Sequence, residues 1–201
     1  MEMKKKEIIK MKQEYAISSE TIMVVPNYDE NGVLTSLLGK KNGVTNAGLS
    51  PLDLIDTNLR YRGSSMRGAM DGAQAILEKK NMNPLILDRE QDIILFPCRS
   101  PFRPDCVWLS LRHVKNYKKA GTSHTQVELS NESTITIDVS KQTFDKKMQR
   151  AYELRYKMQA QTQQFEGKAM EAGTVYHLFK NVDRLNYEGG QSEEQEFAES
   201  L

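Results

Sequence analysis

The sequence has few of the features that place a chain in a specialised class. Its only cysteines are Cys98 and Cys106, too few for a disulfide scaffold. No apolar run approaches the roughly 18 residues that a membrane-spanning helix needs. Lysines occur near the N-terminus, but no apolar segment follows them, so this is not a secretory signal. These absences predict a reduced, cytoplasmic protein.

Signatures of metal centres and enzymes are also missing. The cysteine and histidine side chains nearest in sequence, Cys98, Cys106 and His113, are separated by gaps of seven and six residues. Structural zinc takes paired ligands about two to four residues apart. The segment RYRGSSMRG (60–68) lacks both the Gly-Lys-Ser/Thr end of a P-loop and a Gly-x-Ser-x-Gly pattern. We therefore expect no metal, no cofactor and no enzymatic activity, with a small hydrolase or phosphate-binding enzyme as a remote alternative.

What the sequence does contain is an uneven distribution of charge. The formal net charge is only +1, yet residues 99–119 hold six bases against one acid. Residues 141–168 hold seven bases against three acids, whereas residues 187–201 hold five glutamates and no base. A basic body with an acidic, disordered tail is typical of a polyanion-binding protein. A solvated surface with unevenly placed charge is the alternative.

The chain of 201 residues is long enough for one domain with appendages. We divide it into a basic N-terminal extension (1–15), a main domain (16–160), a C-terminal region (161–186) and an acidic tail (187–201). Within the C-terminal region, TVYHLFKNV could add a docked helical turn. Residues 187–201 are expected to be disordered.

A β-hairpin followed by a helix is the clearest local pattern. Apolar residues alternate with polar ones through TQVEL and TITIDV, and residues 130–133 supply a turn between them. Phe144, Met148 and Ala151 then recur at helical spacing, which predicts a basic amphipathic helix to about residue 160. The fold class that follows is α+β, a single strand-rich domain.

Turn and capping residues predict the remaining elements. A strand at 21–25 should stop at Pro26. Ser50 and Pro51 should start a helix that Gly63 ends, and Ser64 or Ser65 should start a shorter one through residue 70. NPLILD and DIILFP are short apolar runs that predict buried strands.

Two segments carry the candidate binding residues. In RYRGSSMRG, Gly63, Ser64 and Ser65 could form an anion-binding concavity, or simply a corner between two helices. In ILFPCRSPFRPDCVWLSLRHVKNYKK (94–119), Pro101 and Pro104 hold Arg103 on a stiff loop suited to a narrow minor groove. The alternative is a surface corner with solvated lysines. The candidates together are Arg60, Arg62, Gly63, Ser64, Ser65, Arg67, Arg99, Arg103, Arg112, His113, Lys115, Lys118 and Lys119.

Three segments resemble the ComK family, the competence transcription factors of Firmicutes. They are LRYRGSSMRGAMDGA, ILFPCRSPFRPDCVWLSLRHVK and VELSNESTITIDVSKQTFDKKMQRA, and the likeness runs from about Pro51 to Ala151. The resemblance implies a sequence-specific activator of competence genes that recognises A/T-rich boxes in double-stranded DNA, mainly through the minor groove. It also implies a homodimer or dimer of dimers. Carried over as contacts or their scaffolding are Arg103, His113, Lys115 and the Gly63-Ser64-Ser65 turn; Arg62 and Arg112 are included on charge alone.

Other partners and a rival function stay open at this point. A weaker likeness of WLSLRHVKNYKK and the hairpin to LytTR-type domains favours a β-rich fold with DNA-facing loops. An activator acting at the nucleoid could also contact RNA polymerase. The family's Phe-Met-Leu-Tyr-Pro-like motif for an adaptor-directed protease does not occur here, which leaves that control in doubt. The rival is an interaction protein whose basic surface binds RNA or an acidic protein without sequence specificity.

Overall fold

The computed structural model describes residues 15–78, 81–166, 176–180 and 187–191. They form an α+β fold, which confirms the predicted class. The helices are α1 (Pro51–Tyr61), α2 (Met66–Leu77) and α3 (Lys141–Glu166). The strands are β1 (Thr21–Tyr28), β2 (Leu34–Lys40), β3 (Gly43–Asn46), β4 (Leu85–Asp88), β5 (Ile93–Pro97), β6 (Trp108–Ser110), β7 (Val114–Ala120), β8 (His124–Leu129), β9 (Thr134–Ile137), β10 (Tyr176–Lys180) and β11 (Tyr187–Gln191). Of these helices, none is long and apolar enough to cross a membrane.

A six-stranded sheet in the order β3-β2-β1-β6-β5-β4 is the centre of the main domain. Each neighbouring pair in it is antiparallel. All five residues of β5 are buried, so both faces of the sheet are covered at this strand. Trp108, on the neighbouring β6, is fully buried as well. This apolar strand pair fixes the two ends of the loop that carries Arg99 and Arg103.

Different elements cover the two faces of this sheet. On one face, α1 contributes Leu54, Ile55 and Leu59 to a core that includes Ile93 and Leu95 of β5. On the other face, Ile94 and Phe96 of β5 meet a second layer. That layer consists of the three-stranded sheet β7-β8-β9 and of α3, whose residues Phe144, Met148 and Ala151 are buried. Because successive side chains of β5 point to opposite faces of the sheet, this strand contributes residues to both cores.

The predicted hairpin and helix starts are confirmed. Strands β8 and β9 pair antiparallel, with Val127 opposite Ile135. The Ser50 Oγ accepts a hydrogen bond from the Asp53 amide at 3.2 Å, and Pro51 is the first residue of α1. Ser65 caps α2 in the same way through the Gly68 amide. Gly63, with φ +77°, follows α1 in the left-handed region that glycine adopts without strain.

Two predicted boundaries are wrong. Strand β1 does not stop at Pro26 but continues to Tyr28. It pairs with β6 only at Met23 and Val24, so no β6 residue lies beside Pro26 to require its missing amide hydrogen. Beyond them Pro26 pairs with β2 alone, a one-sided position that tolerates a missing amide hydrogen. Helix α2 ends at Leu77 rather than at residue 70. Its second half is held because Ala73 and Leu77 pack in one cluster with Leu154 and Met158 of α3.

The end of the chain departs from prediction in two places. Residues 176–180, expected as a helical turn, form β10, and residues 187–191, expected as disordered, form β11. The two strands pair antiparallel, with Leu178 opposite Gly189, so each supplies the other's backbone hydrogen bonds. Charge counting could not foresee that partner. Residues 192–201, and residues 1–14 of the predicted extension, lie outside the described residues.

Candidate nucleic-acid interface

A braced loop carries two of the candidate arginines. We call residues Arg99–Asp105, between β5 and β6, the arginine loop. The Cys98 amide donates to the Val107 carbonyl at 2.8 Å and closes its base. Inside the loop, the Arg103 amide donates to the Ser100 carbonyl at 3.0 Å, and the Cys106 amide to the Arg103 carbonyl at 3.1 Å. Two prolines and these turns hold the loop backbone in one shape.

The arginines of this loop are paired with carboxylates. Arg103 donates from Nε and Nη2 to the two oxygens of Asp105, at 2.7 and 2.9 Å. Arg99 donates to the same carboxylate at 2.6 Å and to both the carbonyl and the carboxylate of Asp138. The hydrogen bonds from Arg103 and the nearby charges lower the Asp105 pKa to about 2. The predicted concentration of positive charge is therefore largely balanced here by two acids, one of which comes from the far end of β9.

The Gly-Ser-Ser turn has the geometry of a helix corner. The Gly63 and Ser64 amides donate to the carbonyls of Arg60 and Leu59, at 3.1 and 2.9 Å. The Met66 amide, at the start of α2, donates to the Asp56 carboxylate at 2.7 Å. This bond, together with Arg60, lowers the Asp56 pKa. Because these donors already have acceptors within the protein, the geometry supports the corner rather than an open anion-binding concavity.

The arginines of this segment have different environments. Arg62 is mostly buried and donates to the carbonyls of Ile17 and Asn58, at 2.5 and 3.1 Å. Its guanidinium also lies 3.5 Å from Asp88, so Arg62 joins elements of the core rather than facing outward. Arg60 is exposed and pairs with Asp56 at 2.6 Å. Arg67 is almost fully exposed, 3.8 Å from Asp71.

Burial places His113 among the scaffolding residues. It is only 3% exposed. Its Nδ1 lies 2.7 Å from the Ser130 Oγ and its Nε2 lies 2.8 Å from the Ser19 carbonyl. Burial lowers the pKa of the imidazole. His113 therefore ties the turn before β7 to the hairpin turn and to the segment before β1, and its burial favours a scaffolding role over a direct contact with DNA.

The lysines of β7, together with Arg112, are the cations of the candidate set that have no carboxylate partner among the described residues. Strand β7 is an edge strand of its sheet, and Lys115, Lys118 and Lys119 are exposed on it. Within the described parts of the chain these lysines form no ion pair. Their strand is anchored by Tyr117, whose ring packs edge-on against Phe144 with centroids 4.8 Å apart. Arg112, just before β7, donates to the Gln91 carbonyl at 2.9 Å.

Pairings and contacts link several of the separate candidates. Lys119 pairs with Thr125, beside His124, and His124 lies 3.4 Å from Asp138, the partner of Arg99. The arginine loop in turn reaches α1 and α2, because a groove of about 600 Å³ is lined by Phe102 together with Arg60, Ser65, Met66, Met70 and Arg67. The β7 lysines, the arginine loop and the exposed arginines of α1 and α2 thus form a single series of neighbours.

The sequence-based list omitted Phe102, Asp105 and Asp138. Phe102 is 68% exposed at the tip of the arginine loop. Its sequence position between Pro101 and Arg103 was the available signal. The pairing of Asp138 with Arg99, across 39 residues, had no such signal. In the described residues no group of three or more His, Cys, Asp or Glu side chains could hold a metal ion, and both cysteines are buried free thiols whose pKa values burial raises.

These features are those of a binding domain. The α+β scaffold presents basic side chains from an edge strand and a braced loop, which is the arrangement of a binding domain. The chain belongs to the ComK family: the family described as ComK protein matches residues 12–163. It is therefore a transcriptional regulator of competence, and transcription factors are in general not enzymes.

A characterised relative supports the same assignment. The chain is 31% identical over 147 residues to the competence transcription factor of Bacillus subtilis (strain 168). The matched region covers 73% of this chain and 76% of that protein. No solved structure matches the chain. The resemblance seen in the sequence is confirmed, and with it the role in transcription regulation and competence.

Proposed function

We propose that this protein binds A/T-rich promoter DNA in a sequence-specific manner, mainly through the minor groove, and activates DNA-uptake genes. It acts in the cytoplasm at the nucleoid, as a homodimer or dimer of dimers, without a cofactor and together with RNA polymerase. The observation that carries this proposal is that the domain presents two kinds of exposed basic group, the lysines of β7 and the arginine loop. The unpaired lysines of β7 suit phosphates, and the stiff arginine loop suits a groove.

The ion pairs of the arginine loop do not prevent this role. Arg103 and Asp105 are 57% and 44% exposed, and an ion pair so open to solvent contributes little to stability. The negative potential of a narrow A-tract minor groove can compete for a guanidinium held so weakly.

The near-neutrality of the arginine loop also favours a second candidate function. If Arg99 and Arg103 remain on Asp105 and Asp138, only the lysines attract a partner. The protein would then bind RNA or an acidic protein through charge alone, without preference for sequence.

One titration distinguishes the two functions. The full chain is titrated with a duplex that carries two A/T-rich boxes and with a G/C-rich duplex of equal length. We expect tighter binding to the A/T duplex, and a loss of roughly 1000-fold in affinity between about 50 and about 200 mM salt if six or more phosphates are contacted. Equal affinity for both duplexes would support the second function, and an affinity unaffected by salt would contradict both.

A further inference from the structure

Phe102 is an outlier among the phenylalanines whose side chains the structure describes. Phe96 and Phe144 are at most 1% exposed, whereas Phe102 is 68% exposed. A phenyl ring has no polar group with which to interact with water, unlike the exposed Tyr28, Tyr152 and Tyr156. An aromatic ring held in solvent on a regulator's binding side is therefore a candidate contact residue.

The backbone under Phe102 is firmly held. Pro101 before it is buried, and Arg103 after it is fixed by its amide bond to Ser100 and by its side chain on Asp105. Cys106 closes the same loop through the Arg103 carbonyl. A ring presented on so short and braced a loop loses little entropy when it is buried in a partner.

Arginines lie close to the ring. Arg103 is adjacent in sequence, and Arg60 and Arg67 line the groove that Phe102 borders. The same groove is lined by three acids: Asp56 lies 2.6 Å from Arg60, Asp71 lies 3.8 Å from Arg67, and Asp53 accepts a hydrogen bond from the Ser50 hydroxyl at 2.6 Å. Proteins that bind the minor groove place an apolar wedge, often Phe, between base steps and arginines beside it.

We infer that Phe102 inserts between neighbouring base pairs of an A/T-rich site while Arg103 occupies the adjoining minor groove. This inference rests on the proposed function. Pyrimidine–purine steps such as TA unstack most easily, so insertion would favour boxes that contain such a step. Phe102 would then contribute to sequence preference without forming a hydrogen bond to any base.

The test replaces one adenine at the TA step of an A/T-box duplex with 2-aminopurine, whose fluorescence rises when it is unstacked. Full-length wild type, Phe102→Ala and Phe102→Leu are titrated, with Tyr156→Ala as a matched loss of an exposed ring on α3. We expect wild type and Phe102→Leu to raise the fluorescence. Phe102→Ala should abolish that rise and weaken A/T-box binding roughly tenfold, with little change on the G/C-rich duplex and none from Tyr156→Ala.

The outcomes separate this inference from the function on which it rests. If wild type prefers the A/T duplex but neither the fluorescence nor the affinity depends on Phe102, the inference that Phe102 inserts between base pairs is wrong. The proposed binding to A/T-rich DNA is then still supported. If wild type shows no preference between the duplexes, the proposed function fails and the wedge with it. If Phe102→Ala leaves DNA binding intact but changes the oligomeric state, the ring belongs to a contact between protein chains and the inference is overturned.

Discussion

Arg99 and Arg103 share one carboxylate, at 2.6–2.9 Å, whereas the three lysines of β7 meet no carboxylate in the described part of the chain. Both regions are basic in sequence, but they differ in whether their side chains form ion pairs in the folded protein. The arginines are paired with carboxylates, while the lysines have no carboxylate partner in the described residues. Fixed direction suits recognition of a groove, and free charge suits attraction to phosphate.

The largest expected effect comes from removing the free charge. Lys115→Ala, Lys118→Ala and Lys119→Ala in one chain should weaken A/T-rich and G/C-rich duplexes equally, by roughly 100-fold at low salt. The slope of log affinity against log salt should fall by about 3. Lys146→Ala, an exposed lysine on α3, serves as the control for loss of charge elsewhere. A triple variant that loses only the A/T preference would reverse the roles we assign to the two regions.

A smaller effect is expected from releasing the arginines. Asp105→Asn removes the carboxylate that holds Arg99 and Arg103. The affinity for the G/C-rich duplex should therefore rise a few-fold, and the ratio of A/T-box affinity to G/C-rich affinity should fall. Glu30→Gln, an exposed acid on the turn after β1, controls for the loss of one negative charge. If Asp105→Asn and Glu30→Gln behave alike in fluorescence-anisotropy titrations, Asp105 does not direct the arginines.

The pH dependence of the Asp105 pairing follows from its lowered pKa. A carboxylate with a depressed folded-state pKa stabilises the fold above its unfolded value, near 3.9, and that contribution is lost as the pH falls towards about 2. The arginine loop should therefore keep its ion pairs throughout the range in which the protein binds DNA.

The smallest effect concerns the scaffold beneath β7. Because burial lowers the His113 pKa, the unfolded chain takes up the proton first, and stability should fall as the pH drops below about 6.5. His113→Gln should be less stable near neutral pH, since it loses bonds to Ser130 and Ser19, but should show a weaker pH dependence of the unfolding free energy. Urea titrations at about pH 7.5 and about pH 5.5 measure both quantities. An unchanged pH dependence would mean that His113 is not responsible.

Elements set by neighbouring residues could be predicted from the sequence. The Ser50 cap, the buried run in β5 and the alternation in β8 and β9 are local patterns, and all three are confirmed. Features set by distant partners could not. Pro26 fits within β1 because β6 does not pair beside it, and α2 reaches Leu77 because α3 packs against its second half.

The same division applies to the candidate site. Counting charges found the basic residues, and the family resemblance pointed to the segments that carry them. Neither showed that Arg62 and His113 are held inside the fold, since their partners Ile17 and Ser19 are 45 and 94 residues away in sequence. The acid that faces Arg99 from the end of β9 was hidden for the same reason. The basic residues of a sequence indicate that a surface is positively charged. Only the fold shows which of those charges are not paired with an acid.

Arg103 of the arginine loop and Lys118 of β7 are both exposed bases, and we assign them different roles in binding DNA. Each is replaced by Ala, and each variant is titrated on the A/T-box and G/C-rich duplexes at one salt concentration. Arg103→Ala should lose about 1–3 kcal/mol of preference for the A/T boxes, whereas Lys118→Ala should weaken both duplexes by one common factor. If Arg103→Ala also weakens both duplexes equally, the arginine loop is only another phosphate contact, and the role in sequence recognition that we assign to Arg103 is contradicted.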